Sequence, residues 1–328
     1  MSTRADTVGI VGAGAFGTAL ASVLARAGRR VILWTRDTDV AKAIAQTRKC
    51  PRLPEAPLPS PLEATTDPNR LASEARFLVM AVSSTDVVDR AKELGSFLDG
   101  SHIVVHAIGA LAAPTNERVS EVMSLGLPTL KIGALAGPAL PQDLAVGDFS
   151  SMVVASAFDE VVKEGRRLLN APPALRVYGS KDLAGVELAS ALSGAYTVAL
   201  GLCDGLGMQA GTRAVLITRI VAEAARLSQA AGADVRTFGG LTGLGNLLVR
   251  ANEKSVDYEV GRRLAAGVTT PYDPVRTEGA RAALAGAELA KQLRVRVPVL
   301  ASVAAVLAGR ADPREAASLV GDNVADYE

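Results

Sequence analysis

Three glycines, spaced as Gly12-Ala13-Gly14-Ala15-Phe16-Gly17, close an apolar run from Val8 to Val11 and open a helical one at Thr18-Ala19-Leu20. Each glycine has a physical task in that setting. Gly12 permits a tight turn, Gly14 lets a pyrophosphate approach the backbone, and Gly17 lets the helix pack closely on the strand, with the phosphates at the helix N-terminus. A second apolar run, Arg30-Val31-Ile32-Leu33-Trp34, follows at the spacing of a strand-helix-strand unit, and that context makes a common glycine pattern a dinucleotide site. The choice of dinucleotide rests on Thr35-Arg36-Asp37, just past this strand. Arg36 suits the 2′-phosphate of NADP, although a solvated loop arginine fits the same place. An NAD site ends the strand in an acid, and Asp37 stands slightly late for that role. NADP is favoured and NAD stays open.

These residues need a scaffold, and the first half of the chain supplies one. Apolar runs at 8–11, 31–34, 77–82, 103–107, 131–136 and 151–155 alternate with helical stretches, the pattern of a doubly wound parallel sheet. Its ligand crevice lies at the carboxyl ends of the strands, where Ala81-Val82-Ser83-Ser84, His106-Ala107-Ile108-Gly109 and Leu135-Ala136-Gly137-Pro138 leave the sheet. From Gly185 onward strand patterning gives way to Ala, Leu, Val, Arg and Glu at helical spacing. The expected fold is therefore an α/β Rossmann domain over residues 1–183 and an all-α domain over 184–328. One break in the second domain, from Thr237 to Leu247, is dense in glycine and implies backbone brought close to another surface.

Composition narrows the function classes. At 328 residues, 49% hydrophobic and 21% charged, the chain is long and apolar enough for two cores. A net charge of +1 with no concentrated basic patch argues against nucleic acid as a partner. The glycine turn follows the N-terminus too closely for a signal peptide, and no apolar run is seen to reach the about 18 to 20 residues of a bilayer span. A cytoplasmic protein without membrane insertion is expected. Cys50 and Cys203 are isolated thiols without metal or redox spacing, and no metal site is expected.

Beyond these features, the chain resembles the NAD(P)-dependent glycerol-3-phosphate dehydrogenase family over almost its whole length. The resemblance is carried by the glycine turn with Thr18-Ala19-Leu20-Ala21, Leu53-Pro54 to Leu58-Pro59, Ala81-Val82, Gly137-Pro138, Gly185-Val186-Glu187-Leu188, 214–219, Gly243-Leu244-Gly245, Ser255, Gly261 and Glu278-Gly279, in the family's order and spacing. It implies NAD or NADP as cofactor, a small-molecule substrate held in a cleft between two domains, and a homodimer. It assigns Ala15, Phe16, Pro141 and Glu278 to the cofactor side, with Gly12, Gly14, Gly17 and Arg36. To the substrate side it assigns Gly137, Ala139, Asn246, Ser255, Val256 and Asp257.

The chain departs from that pattern at the chemical centre. The family's lysine before Gly109 is Ile108, and the acid/base lysine after Ala191-Leu192 is Ser193, followed by Gly194 in place of asparagine. The aspartate after Gly245 is Asn246, the Ser-Arg-Asn phosphate cluster is Ser255-Val256-Asp257, and an Asp-Asn pair reads Ala210-Gly211. Hydride transfer to a ketone develops negative charge on oxygen, and general acid/base assistance alone is worth roughly 10²–10⁴-fold. Ser193 is no substitute for an ammonium, and Asp257 would repel a phosphate. His106 shares a strand face with Ile108 and could serve as acid/base, or be a histidine satisfied by its neighbours. Tyr196, one turn after Ser193, could donate a proton, though core packing suits it better. Arg213 and Arg219 fall near the cleft in the family pattern, Lys181-Asp182 reads as a solvated loop, and Glu187 as a tie between helices. Two functions follow: an NAD(P)-dependent oxidoreductase of this type with altered substrate and weak action on glycerol 3-phosphate, or a dinucleotide-binding sensor or assembly partner without dehydrogenase chemistry.

Overall fold

A computed structural model of the chain describes residues 4–60, 62–267 and 277–316. It divides into two compact units, one of residues 1–108 and 112–183, the other of 109–111 and 184–328.

The first unit is built on eight strands: β1 Val8–Val11, β2 Val31–Trp34, β3 Leu62–Thr65, β4 Phe77–Met80, β5 Ile103–His106, β6 Ile132–Ala136, β7 Ser150–Ala155 and β8 Leu175–Ser180. They form one sheet in the order β3-β2-β1-β4-β5-β6-β7-β8. The inner strands are Val/Ile/Leu-rich and buried along their whole length, as strands covered by helices on both faces must be. Those helices are α1 Ala15–Arg26, α2 Thr38–Thr47, α3 Pro68–Glu74, α4 Val87–Gly95, α5 Val119–Gly126, α6 Pro141–Val146 and α7 Asp159–Leu169. The order reverses at β1, flanked by β2 and β4, so β1 and the turn after it mark the switch point at which such sheets bind ligands.

Two features depart from the expected parallel sheet. β7 runs antiparallel to β6, with Ala134 opposite Ala155 and Ala136 opposite Val153, and β8 then pairs parallel to β7. A parallel return needs a crossover helix long enough to carry the chain back along the sheet. The six residues of α6 rise only about 9 Å and pack against α1, where Arg26 donates to the Leu144 carbonyl, so the chain re-enters reversed. The sequence reading also missed β3 and β8, the two edge strands. β3 reads Leu-Glu-Ala-Thr and is only half buried, its Glu63 paired with Arg30 and Arg70.

The second unit is helical: α8 Leu183–Gly205, α9 Ala210–Ala230, α10 Asn246–Arg250, α11 Val256–Ala265, α12 Glu278–Gln292 and α13 Pro298–Leu307. α8 corrects the expectation that no apolar run is long enough to cross a membrane, for this 23-residue helix contains an 18-residue window of mean hydropathy 1.4 and passes by length and composition. That window is entirely buried, because a helix apolar all round is the core of its unit. The glycine-dense break forms a π-helical turn, Leu241–Gly245, running into α10. Its close approach is to its own chain: a Cβ on Gly243 would lie 2.2 Å from the Phe238 carbonyl oxygen.

One buried acid joins three of these helices. Glu223 of α9 is 1% exposed and accepts from the Val299 and Leu300 amides at the start of α13 and from the Tyr196 hydroxyl of α8. Burial pushes its carboxyl above the usual range, against the pull of those three donors. Glu223→Ala orphans all of them, and unfolding in urea is expected to show a loss of about 3–5 kcal/mol. A loss below about 1 kcal/mol would show that water replaces the carboxylate.

Candidate functional site

The glycine turn after β1 has the geometry its spacing implies. Gly12 has φ +110° and donates to the Trp34 carbonyl at 2.9 Å, and a Cβ there would lie 2.5 Å from the Ala81 carbonyl oxygen. A Cβ on Gly17 would lie 2.1 Å from the Gly12 carbonyl oxygen, so α1 packs where only glycine fits. Gly14, the N-cap of α1, meets the opposite surroundings: a Cβ on it would touch nothing within 4 Å. No side chain caps the helix, and the Ala15 and Phe16 amides have no partner among the described residues. Open space before uncapped amides, at the positive end of a 12-residue helix, fits a pyrophosphate.

The ends of β2 and β6 complete this side of the first unit. Asp37 is the N-cap of α2, accepting from the Asp39 and Val40 amides at 3.1 Å each, so its carboxylate is committed to capping. Arg36 beside it is exposed. Burial, together with the nearby Arg36 charge, pulls the guanidinium of Arg90 on α4 below its usual value, and an anion placed at Arg36 would relieve that repulsion. Arg36→Ala is expected to weaken NADPH binding by about tenfold or more while leaving NADH within about twofold, read by calorimetry. Equal loss for both cofactors would remove Arg36 from the 2′-phosphate. Gly137 has φ +151° and leaves no room for a Cβ, which would lie 2.7 Å from the Ser151 carbonyl oxygen. Ala139 is buried and Pro141 opens α6.

In the second unit two of the substrate-side positions, Asn246 and Asp257, take part in polar contacts with Ser190, Ser193 and Arg250. Ser193 is fully buried; its hydroxyl donates to the Ser190 carbonyl at 2.7 Å and accepts from Asn246 Nδ2 at 3.0 Å. It is a satisfied helix hydroxyl bonded to α10, with no proton left for a substrate. Asn246 Nδ2 also lies 3.4 Å from Ser190 Oγ. Ser255 caps α11 by accepting from the Tyr258 amide, and Val256 beside it is 58% exposed. Asp257 is 4% exposed, accepting from Arg250 Nη2 at 2.8 Å and from the Gly279 amide at 2.9 Å. Burial pushes its carboxyl upward, opposed by those two donors. Glu278 is the first residue of α12.

The sequence reading missed Arg250 and Ser190. Arg250 follows Asn246 by one helical turn, at the end of the apolar Leu247-Leu248-Val249, and that isolated charge was the available signal. Its side chain is 21% exposed, and among the described residues its Nη1 has no partner. Gly109, which groups with this unit, would bring a Cβ 3.6 Å from that nitrogen and 3.2 Å from Ser190 Oγ.

Other candidates fall away from this chemistry. His106 is 2% exposed at the end of β5, its Nδ1 3.4 Å from the donating Ile108 amide, so the ring is enclosed instead of presented as an acid/base. Ile108 is itself buried. Tyr196 is core: burial and the Glu223 carboxylate push its hydroxyl well above the usual range. Arg213 pairs with Asp204, and exposed Lys181 with Asp159. Arg219 lines an apolar cavity of about 290 Å³ with Leu202, Val215 and Val303. Glu187 is buried on α8. Cys50 and Cys203 are free and buried, and no group of His, Cys, Asp and Glu among the described residues could hold a metal ion.

Comparison with known proteins matches both units. Residues 7–162 fit the model of the NAD-dependent glycerol-3-phosphate dehydrogenase N-terminus, and residues 182–318 that of the C-terminus. The glycerol-3-phosphate dehydrogenase [NAD(P)+] of Bradyrhizobium sp. (strain ORS 278) is 35% identical over 310 residues, covering 94% of each chain. The enzyme of the same name from Halorhodospira halophila is 36% identical, covering 93% of each. Among solved structures, glycerol-3-phosphate dehydrogenase from Coxiella burnetii superposes with a TM-score of 0.86 at 26% identity, covering 97% of this chain and 99% of that one.

Proposed function

From the premise that this chain belongs to the NAD-dependent glycerol-3-phosphate dehydrogenase family, we propose that it is an NAD(P)-dependent oxidoreductase of that type whose substrate is a small hydroxy or keto compound other than glycerol 3-phosphate. The cofactor is NAD or NADP. When bound, it supplies or takes up a hydride at the substrate carbon. Gly12, Gly14 and Gly17 shape its pyrophosphate seat, Ala15 and Phe16 offer their amides, and Arg36 answers a 2′-phosphate.

The observation that carries the substrate reading is the state of the polar cluster around Ser193. Where the family pattern has an ammonium, this chain has a hydroxyl whose proton already goes to the Ser190 carbonyl. Among the described residues Arg250 is a cation of the cluster with an N–H to spare, and we assign it the carbonyl oxygen of the substrate. A guanidinium gives up no proton at neutral pH, so it stabilises the developing alkoxide by hydrogen bonding, and water supplies the proton that completes the alcohol. The test is NADPH oxidation, followed by absorbance, with short aldehydes and ketones. Turnover with an unphosphorylated substrate that falls at least about 100-fold in Arg250→Gln supports this assignment. NADPH bound but oxidised with no carbonyl compound would overturn the oxidoreductase reading in favour of a sensor.

A further inference from the structure

The carboxylate of Asp257 sits where a guanidinium and a helix-end amide hold it as they would a bound anion, against its burial and the nearby Glu278 charge. Asp257 is the second residue of the 10-residue α11, and the amide donating to its Oδ1 belongs to Gly279, the second residue of the 15-residue α12. Two helix N-termini, each equivalent to roughly half a positive charge, therefore meet at one carboxylate. Arg250 adds a full charge through Nη2, 2.8 Å from Oδ2. Glycine makes the room: a Cβ on Gly279 would lie 2.5 Å from Asp257 Cγ, and one on Gly194 3.3 Å from Oδ2. Both carboxylate oxygens receive N–H donors, the arrangement the ionised form matches and a protonated carboxyl would spoil.

Resting on the oxidoreductase reading above, we propose that Asp257 is the specificity-determining residue of the substrate side: a resident anion held by Arg250 and the Gly279 amide in the position that a phosphate or carboxylate group of a substrate would need, which restricts the site to uncharged hydroxy-carbonyl compounds. A phosphate dianion arriving here finds the guanidinium already neutralised and a buried negative charge in its place, 4% exposed and held from both sides. Like charges at that distance repel, and neither Val256 nor Ser193 offers a compensating cation. An uncharged substrate meets no such penalty and still finds the Nη1 of Arg250, which has no partner among the described residues.

The test separates the resident anion from the enzymatic reading. Inorganic phosphate is titrated calorimetrically into the full chain, into Asp257→Asn, whose amide oxygen still accepts from Gly279, and into Asp257→Asn/Arg250→Gln. Wild type is expected to show no saturable binding in the millimolar range, Asp257→Asn to bind at least about tenfold more tightly, and the double variant to lose the gain. Phosphate bound equally by wild type and Asp257→Asn, or a gain that survives the loss of Arg250, would overturn the proposal. So would the absence of a gain in an Asp257→Asn protein that melts like wild type; should that variant unfold, Asp257→Ser is titrated in its place and read the same way. Turnover gives the second arm: the ratio of kcat/KM for dihydroxyacetone to that for dihydroxyacetone phosphate is expected to fall at least about tenfold in Asp257→Asn, a change a merely structural ion pair would not produce. A wild type that turns over neither compound while the phosphate titrations behave as expected would fail the oxidoreductase reading and leave the resident anion standing.

Discussion

With dihydroxyacetone phosphate and NADPH, kcat/KM is expected to lie at least about 10⁴-fold below that of an ordinary dehydrogenase, whose range begins near 10⁴ M⁻¹s⁻¹. Two losses combine. On the proposed reading the acid/base position is Ser193, buried and with its hydroxyl committed to Ser190 and Asn246, so the developing alkoxide would lose a proton donor worth roughly 10²–10⁴-fold. The phosphate position proposed here has an exposed Val256 and the carboxylate of Asp257, which would remove an anchor and add a repulsion. Steady-state NADPH oxidation decides the matter, and a kcat/KM in the ordinary range would show that these positions do not carry the chemistry.

The structure also says which repairs should fail. Ser193→Lys alone places an ammonium in a fully enclosed site beside Asn246, a neutral amide, and an unpaired buried charge costs several kcal/mol. Loss of stability is the expected result, with partial recovery on adding Asn246→Asp. Val256→Arg meets no such obstacle, because that side chain is exposed, but it leaves the buried Asp257 carboxylate in place to repel a substrate phosphate. A variant with Ile108→Lys, Ser193→Lys, Asn246→Asp, Val256→Arg and Asp257→Asn is therefore expected to gain turnover of the phosphate ester where the three cationic changes alone gain none.

How much of this was legible in the residues depended on the range of the interactions. The inner strands announced themselves because burial on both faces demands unbroken apolar runs, and the turn from Gly12 to Gly17 because close backbone approach demands glycine. β3 and β8 escaped because an edge strand needs only one apolar face, and the reversal of β7 because it turns on the length and packing of α6, set by α1. At the polar cluster the expected departures at Ser193, Ile108 and Val256 rest on the family resemblance, as changes of residue type at the positions it assigns. What replaced them could not be read in that way. Arg250 and Asp257 are seven positions apart on different helices, and only the fold shows that their 2.8 Å contact also includes the amide of Gly279. His106 is the converse case: β5 ends at this residue, so Ile108 lies beyond the strand, and the enclosure of the ring is a tertiary fact.

The same contrast between local and tertiary demands yields opposite effects from two glycines three residues apart. Gly14→Val is expected to abolish NADPH and NADH binding while the protein melts within a few degrees of wild type. Its Cβ would enter empty space, nothing lying within 4 Å, so the fold has no objection to it. A pyrophosphate against the Ala15 and Phe16 amides needs that space, and an isopropyl group in it would hold the phosphates off the uncapped end of α1. Gly17→Ala should do the reverse in order of cause: a Cβ 2.1 Å from the Gly12 carbonyl oxygen forces α1 away from β1, destabilises the first unit by about 2 kcal/mol or more, and impairs binding only through that displacement. Calorimetry and thermal unfolding on the two variants distinguish these routes. Cofactor bound by Gly14→Val as tightly as by wild type would mean that the open space before α1 is not the pyrophosphate seat, and the assignment of Gly12, Gly14, Ala15, Phe16 and Gly17 to the dinucleotide would fall with it.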